Sequence, residues 1–284
     1  MSANESSPNT VKTLLTFSIP PKDGRAFINI NADSTTGERQ GNISREEKEV
    51  VIENIRGKED IVGLDTTGFQ YFKAPAKHTS FASDEEVQRE YYPESIELLK
   101  KLTGATKVVL FDHTIRRHRP GKVDDSPDKR QPVSQAHVDQ TTKASVARVH
   151  RHLPADEAPE LLKKRFQIIN LWRPISHAAL DYPLALCDYR SVEPEKDTFP
   201  IALVKRLYPD REGETLGVRY SEKLKWKYLR GMTPDEIVLI KCFDSQQDGS
   251  VAVFTPHTGF KDPSTPDDAP LRESIELRAI VFYD

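Results

Sequence analysis

The strongest constraint on this chain is the way its apolar residues are cut up. They fall in short runs: residues 107–112 (KVVLFD), 167–172 (QIINLW), 184–187 (LALC), 236–243 (EIVLIKCF), 251–254 (VAVF) and 275–283 (IELRAIVFY). Turns rich in Pro, Asp, Gly and Ser separate them. Runs this short read as buried strands, and many short strands joined by corners make a sandwich or jelly roll. The 20 prolines against 13 glycines suit such corners. Residues 12–18 (KTLLTFS) add a strand, and 61–73 read as strand, turn at Thr67-Gly68 and aromatic strand. Residues 45–56 fit either a short helix or a strand. Two helices are predicted. One runs from an N-cap at Ser83 to a stop at Gly104, with Pro93 dividing it and Ile96, Leu99 and Leu102 at helical spacing. The other spans 154–166, opening on Pro and acids and closing on Lys-Lys-Arg. The expectation is one mainly β domain over residues 1–284, with flanking helices, a disordered start at 1–10 and an N-terminal arm at 11–60.

Several function classes fall away. There is no βαβ alternation and no Gly-rich phosphate loop, which argues against nucleotide-dependent chemistry. The 41 Lys and Arg against 44 Asp and Glu leave a net charge of −3, which argues against nucleic acid as a partner. No apolar run reaches the roughly 18 residues of a membrane span. The polar start MSANESSPNT has no secretory h-region, so a cytoplasmic protein is expected. Cys187 and Cys242 form no CxxC pair and read as reduced packing thiols.

The chemistry concentrates in three places. His137-Val138-Asp139 follows a Pro-containing loop, and residues two apart on a strand share a face. One imidazole and one carboxylate can then share a metal, with His257 in Thr255-Pro256-His257-Thr258 as the best third ligand. Two His and one carboxylate on one face make the facial triad of non-haem Fe(II) oxygenases. Downstream, Arg272, Ser274, Glu276 and Arg278 alternate on one face of the last strand. A guanidinium beside a hydroxyl suits the distal carboxylate of a dicarboxylate cosubstrate. His150-Arg151-His152, after the strand-like stretch SVARVH, reads as a solvated strand end.

These blocks together resemble the AsaB-type hydroxylase/desaturase family of fungal tailoring enzymes, related to gibberellin-desaturase-like and cephem-methoxylase-like proteins. The resemblance runs from about residue 12 to 284. It rests on residues 111–117 (FDHTIRR), 136–140 (AHVDQ), 170–175 (NLWRPI), 183–188 (PLALCD), 254–260 (FTPHTGF) and 272–278 (RESIELR). It implies a double-stranded β-helix of the cupin-like jelly-roll type, with Fe(II), 2-oxoglutarate and dioxygen, acting in secondary metabolism. The expected iron ligands are His137, Asp139 and His257. Arg272 with Ser274 is expected to hold 2-oxoglutarate; the Pro/Asp-rich insert after His257 keeps Arg278 open as the alternative. The expected outcome is hydroxylation, desaturation or oxidative cyclisation of a small natural product. His113, Arg116, Arg117, Trp172 and Arg173 are candidate substrate contacts, and the arginines among them suit a carboxylated, amino-acid-like substrate. Two other readings stand beside this one: a cupin-like metal hydrolase that does not use 2-oxoglutarate, and a catalytically silent β-sandwich binding module.

Overall fold

The computed structural model describes residues 9–30, 39–122, 130–204 and 213–284. The strands are β1 (Thr10–Ile19), β2 (Phe27–Asn29), β3 (Ser44–Asn54), β4 (Phe69–Lys73), β5 (Lys107–Arg117), β6 (His137–Val138) and β7 (Phe166–Pro174). They continue with β8 (Leu184–Cys187), β9 (Thr198–Val204), β10 (Gly213–Val218), β11 (Trp226–Tyr228), β12 (Glu236–Asp244), β13 (His257–Gly259) and β14 (Glu273–Phe282). Two sheets result. The larger has the order β1-β3-β11-β8-β13-β6-β10-β9-β2, and the smaller β4-β12-β7-β14-β5. The fold is a jelly roll, as the short apolar runs predict.

The smaller sheet is buried on both faces, which explains its nearly continuous apolar runs. Alternation sends Ile168, Trp172, Val238, Ile240, Ile280 and Phe282 inward to a core shared with Leu186 and Val149. It sends Ile169, Leu171, Ile237, Leu239, Leu277 and Val281 outward, beneath the helical layer that carries Val87, Tyr91 and Leu99. That layer is α1 (Asp84–Glu86), a π-helical turn at Val87–Tyr91 and α2 (Tyr92–Thr103). Ser83 caps it by accepting from the Glu86 amide, and Gly104 ends it in the left-handed region at φ 73°. Pro93 sits in the first turn of α2, where its missing N–H costs nothing, so the chain stays helical through it.

One local alternative is resolved and three local expectations are corrected. Residues 45–56 resolve to strand β3, paired with β1 over ten positions. The stretch SVARVH is helical, inside α3 (Thr142–His152). The Thr141 side chain caps it at 3.1 Å, and Ala144, Ser145 and Val149 bury one face. Val146 and Val149 are β-branched, which favours a strand, but they stand three positions apart, which is helical spacing. The helix expected at 154–166 shortens to α4 (Ala158–Leu161), because β7 already begins at Phe166. Residues 251–254 form no strand but an extended lead into β13. The first eight residues, expected to be disordered, lie outside the described residues. Both cysteines are buried free thiols.

One polar cluster pins β12 to β7. Asp244 caps the turn that follows β12. Its carboxylate accepts from the Gln246 amide, yet it is fully buried. It also accepts from Arg165 at 2.7 Å, Gln167 at 2.7 Å and Lys241 at 2.8 Å. The cluster sits where β12 slips register between Lys241 and Phe243. Burial pushes the Asp244 pKa up, but the Arg165 and Lys241 partners more than offset it and hold it below 3.8. Its stabilising contribution is therefore present above that pH and lost as the pH falls through the lowered value. Asp244→Asn takes from buried Lys241 and half-buried Arg165 one of the two carboxylates they share, the other being Asp65 at 2.6 and 2.8 Å, and the expected cost is about 1.5–3 kcal/mol. Urea unfolding at pH 7 measures it, and the variant should lose less stability than wild type between pH 5 and about 3.

Candidate metal centre

β6 and β13 are neighbours in the larger sheet, and His257 lies directly opposite His137. Their ring centroids are 4.5 Å apart. Asp139 follows two positions after His137 and turns to the same side. Its Oδ1 lies 3.2 Å from His137 Nε2 and 3.8 Å from His257 Nε2. One ligand atom from each of the three residues falls within a mutual 4.8 Å.

Hydrogen bonds fix which ring nitrogen faces inward. His137 Nδ1 donates to the Gln135 carbonyl at 2.8 Å, and His257 Nδ1 to the Thr255 carbonyl at 2.9 Å. Both Nε2 atoms are thereby turned toward Asp139, where a metal would take their lone pairs in place of a proton. Thr255 is itself held, its hydroxyl donating to the Gly68 carbonyl at 2.6 Å. Gly68 sits at φ +90°, and a Cβ there would come within 2.4 Å of that hydroxyl oxygen. Only glycine fits the turn.

The smaller sheet supplies the second shell of contacts. Asp139 Oδ2 accepts from Asn170 Nδ2 of β7 at 2.8 Å and from Arg278 Nε of β14 at 3.2 Å. Arg278 also donates to Thr114 at 2.9 Å, Asp112 at 3.2 Å and Glu276 at 2.6 Å. Burial alone would raise the Asp139 pKa. Arg278, the His137 hydrogen bond and His257 instead hold it well below the usual carboxylate range. Burial, and then His137 beside it, pull the His257 pKa down. The donor set is one anionic oxygen and two imidazole nitrogens on one face. That matches a facial triad, and nothing in it favours a four-ligand closed site.

Arg272 faces the same space in a different state. It is 2% exposed and stacks on Trp172, with its guanidinium carbon 5.7 Å from the ring centre. Nη1 donates to the Tyr182 carbonyl at 2.6 Å, but buried Nε has no partner. Its backbone amide is anchored on Asp181, which also binds His118 at 2.6 Å. Burial, and then the nearby Arg116, push the Arg272 pKa down to about 9. The cavity before it is lined by Arg116, His137, Trp172, His257, Arg272 and Glu276. Ser274 is buried on β14, paired in register with Arg116.

The other expected substrate contacts divide. Arg116 and Trp172 line this cavity. His113 does not reach it: its ring bonds Tyr92 at 2.8 Å and Asp84 at 3.1 Å, under the helical layer. Strand alternation likewise sends Arg173 outward, to the Tyr91 hydroxyl at 2.8 Å and the Pro234 carbonyl. Arg117 reaches the Phe81 carbonyl at 3.3 Å and lies 3.6 Å from Glu273. The roles of Asn170 as an Asp139 partner and Asp181 as the Arg272 anchor carry no sequence signal, because each depends on a partner far along the chain.

Residues 15–282 match the protein family described as "Oxidoreductase/YMDC permease-like domain". The chain is 37% identical to the hydroxylase/desaturase CTB9 of Cercospora beticola, over 84% of this chain and 78% of that protein. It is 32% identical to the Fe(II)/2-oxoglutarate-dependent dioxygenase nvfI of Aspergillus novofumigatus, over 87% of each. The solved structure of the iron and alpha-ketoglutarate-dependent endoperoxidase NvfI superposes with a TM-score of 0.84 at 28% identity, covering 98% of this chain and 99% of that one.

Removing an outer partner of a ligand typically costs 10- to 100-fold in metal affinity. Asn170→Ala should accordingly weaken Mn(II) binding about tenfold while leaving the circular dichroism spectrum unchanged. Titration followed by electron paramagnetic resonance measures it, and unaltered affinity would remove Asn170 from the account.

Proposed function

The chain belongs to the AsaB-type hydroxylase/desaturase family of Fe(II)/2-oxoglutarate oxygenases, and from that premise we propose a division of labour among its own residues. His137, Asp139 and His257 hold Fe(II). Arg272, with Ser274 beside it, holds the distal carboxylate of 2-oxoglutarate. Arg278 positions Asp139 and touches no cosubstrate. The substrate is a small molecule, and the enzyme is cytoplasmic.

One observation carries this reading: a buried guanidinium whose Nε has no partner lines the same small cavity as His137 and His257. An unpaired buried charge costs several kcal/mol, and an incoming carboxylate offsets that cost with a bidentate, charge-assisted contact. Arg278 has no such vacancy, since Asp139, Glu276 and Asp112 already surround it. Glu276 lines the cavity, but its charge is matched by Arg278, so it does not exclude a second carboxylate from Arg272.

Bound in this site, Fe(II) with 2-oxoglutarate and dioxygen supplies the oxidising power for hydroxylation, desaturation or oxidative cyclisation. The protein contributes geometry and charge. The two Nδ1-anchored imidazoles and one Asp139 oxygen would hold the metal as three protein ligands, and a three-ligand set of this kind would keep positions free for cosubstrate and dioxygen. Arg272 and Trp172 orient the dicarboxylate chain, and the surrounding apolar core of Leu186, Leu184 and Val238 keeps bulk water out.

Arg272→Gln should weaken 2-oxoglutarate binding about 10²-fold or more on Mn(II)-loaded protein, with Mn(II) affinity unchanged, because it removes one charge-assisted pair from a buried site. Calorimetric titration reads both constants. A variant that still binds 2-oxoglutarate like wild type would show that Arg272 is not its carboxylate site.

A further inference from the structure

A second pair of groups without hydrogen-bond partners lies on α3, where Arg148 is within electrostatic reach of Asp139. Arg148 and His152 are one helical turn apart and both face inward, between the exposed positions Ala147, His150 and Arg151. Both pack on Phe111. The Arg148 guanidinium carbon is 5.1 Å from the ring centre, and the His152 ring stacks at 5.1 Å with planes 27° apart. Phe111 is placed there by a bulge. Arg278 pairs with Asp112 while Ala279 pairs with Leu110, so Phe111 is the extra residue of β5. The bulge puts Phe111 and Asp112 together at the edge of the site, where Asp112 binds Arg278, which binds Asp139.

Neither polar group is satisfied within the protein. His152 Nε2 is buried with no hydrogen-bond partner. Arg148 is half-buried, and among the described residues no carboxylate comes within 4 Å of it. It nonetheless lies within electrostatic reach of Asp112, Asp139 and Arg278. Burial, and then Arg148, pull the His152 pKa below its ordinary value, so the ring is neutral at pH 7 and free to present an Nε2–H. A guanidinium and an imidazole without hydrogen-bond partners, held one helical turn apart on the same Phe111 ring, offer an oxyanion a charged and a neutral donor. Asp112 does not occupy that role, because it is turned to Arg278.

We propose that Arg148 and His152 form the substrate clamp of this enzyme, binding a carboxylate of the substrate at the α3 edge of the metal centre. Arg148 donates to the carboxylate, His152 Nε2–H donates to its second oxygen, and Phe111 holds both side chains in place. This rests on the assignment of the neighbouring centre as the oxidising site. It deepens that assignment by making the substrate an organic acid held by α3, at residues other than those lining the Arg272 cavity.

The test uses the full-length protein loaded with Mn(II) and saturating 2-oxoglutarate, so that Arg272 is already occupied. Benzoate is the probe and neutral benzamide its isostere, with binding read by ligand-observed NMR. Wild type should hold benzoate at least tenfold more tightly than benzamide. Arg148→Gln should abolish that preference, Arg148→Lys should keep part of it, and His152→Phe, which preserves the stack, should reduce it several-fold. Each variant should bind 2-oxoglutarate as wild type does, which separates the clamp from the cosubstrate site. Repeating the comparison without metal or 2-oxoglutarate shows whether the clamp exists even if the oxygenase assignment fails. No preference for benzoate in wild type, or a preference intact in both Arg148→Gln and Arg148→Lys, overturns the proposal.

Discussion

The two oxygens of Asp139 divide the structure between them. Oδ1 faces His137 and His257 of the larger sheet, while Oδ2 is held by Asn170 and Arg278 of the smaller one. The site is thus assembled only when the two sheets close face to face. Each sheet alone has half of it: two imidazoles without an oriented carboxylate, or a guanidinium and an amide with nothing to bind. The low pKa of Asp139 follows from the same arrangement, since burial without Arg278 would push the carboxyl toward its neutral form.

The arginines of β14 show how strand alternation separates tasks. Arg272 and Arg278 flank Glu276 on the inward side, and they differ in what meets them there. Arg278 lies between three carboxylates and acts as a structural cation. Arg272 meets a carbonyl oxygen, an indole face and a cavity. A buried cation without a counter-ion is a cost the fold retains, and retained strain of that kind marks binding sites. Glu276 stands between them: it is ion-paired with Arg278 and still acts on Arg272 through space.

Much of this was legible along the chain for physical reasons. The period of two placed His137 with Asp139, and Arg272 with Ser274, Glu276 and Arg278, because a strand repeats its facing side every second residue. The jelly roll followed from short apolar runs broken by corners. What stayed hidden depended on partners distant in sequence. The choice between Arg272 and Arg278 turns on Asp139, Asp112 and Tyr182, none of them local to β14. His113 and Arg173 occupy plausible strand positions but face the helical layer, and a β-bulge at Phe111 shifts which residues of β5 look inward. The α3 helix was misread for a different reason. Its two valines are β-branched and favour a strand, while the signals that decide for a helix are their spacing of three, the Thr141 cap and the inward set Ala144, Ser145, Arg148, Val149 and His152. A strand reading puts His152 on a solvated edge, whereas the helix stacks it on Phe111.

The central claim is that one face of His137, Asp139 and His257 holds Fe(II) while Arg272 holds 2-oxoglutarate against it. The most direct measurement is the visible absorbance of the anaerobic protein with Fe(II) and 2-oxoglutarate. A charge-transfer band should appear in wild type, require both additions, and vanish in His257→Ala while surviving in His113→Ala. A wild-type protein without the band, or a band unchanged in both His137→Ala and His257→Ala, would contradict the account.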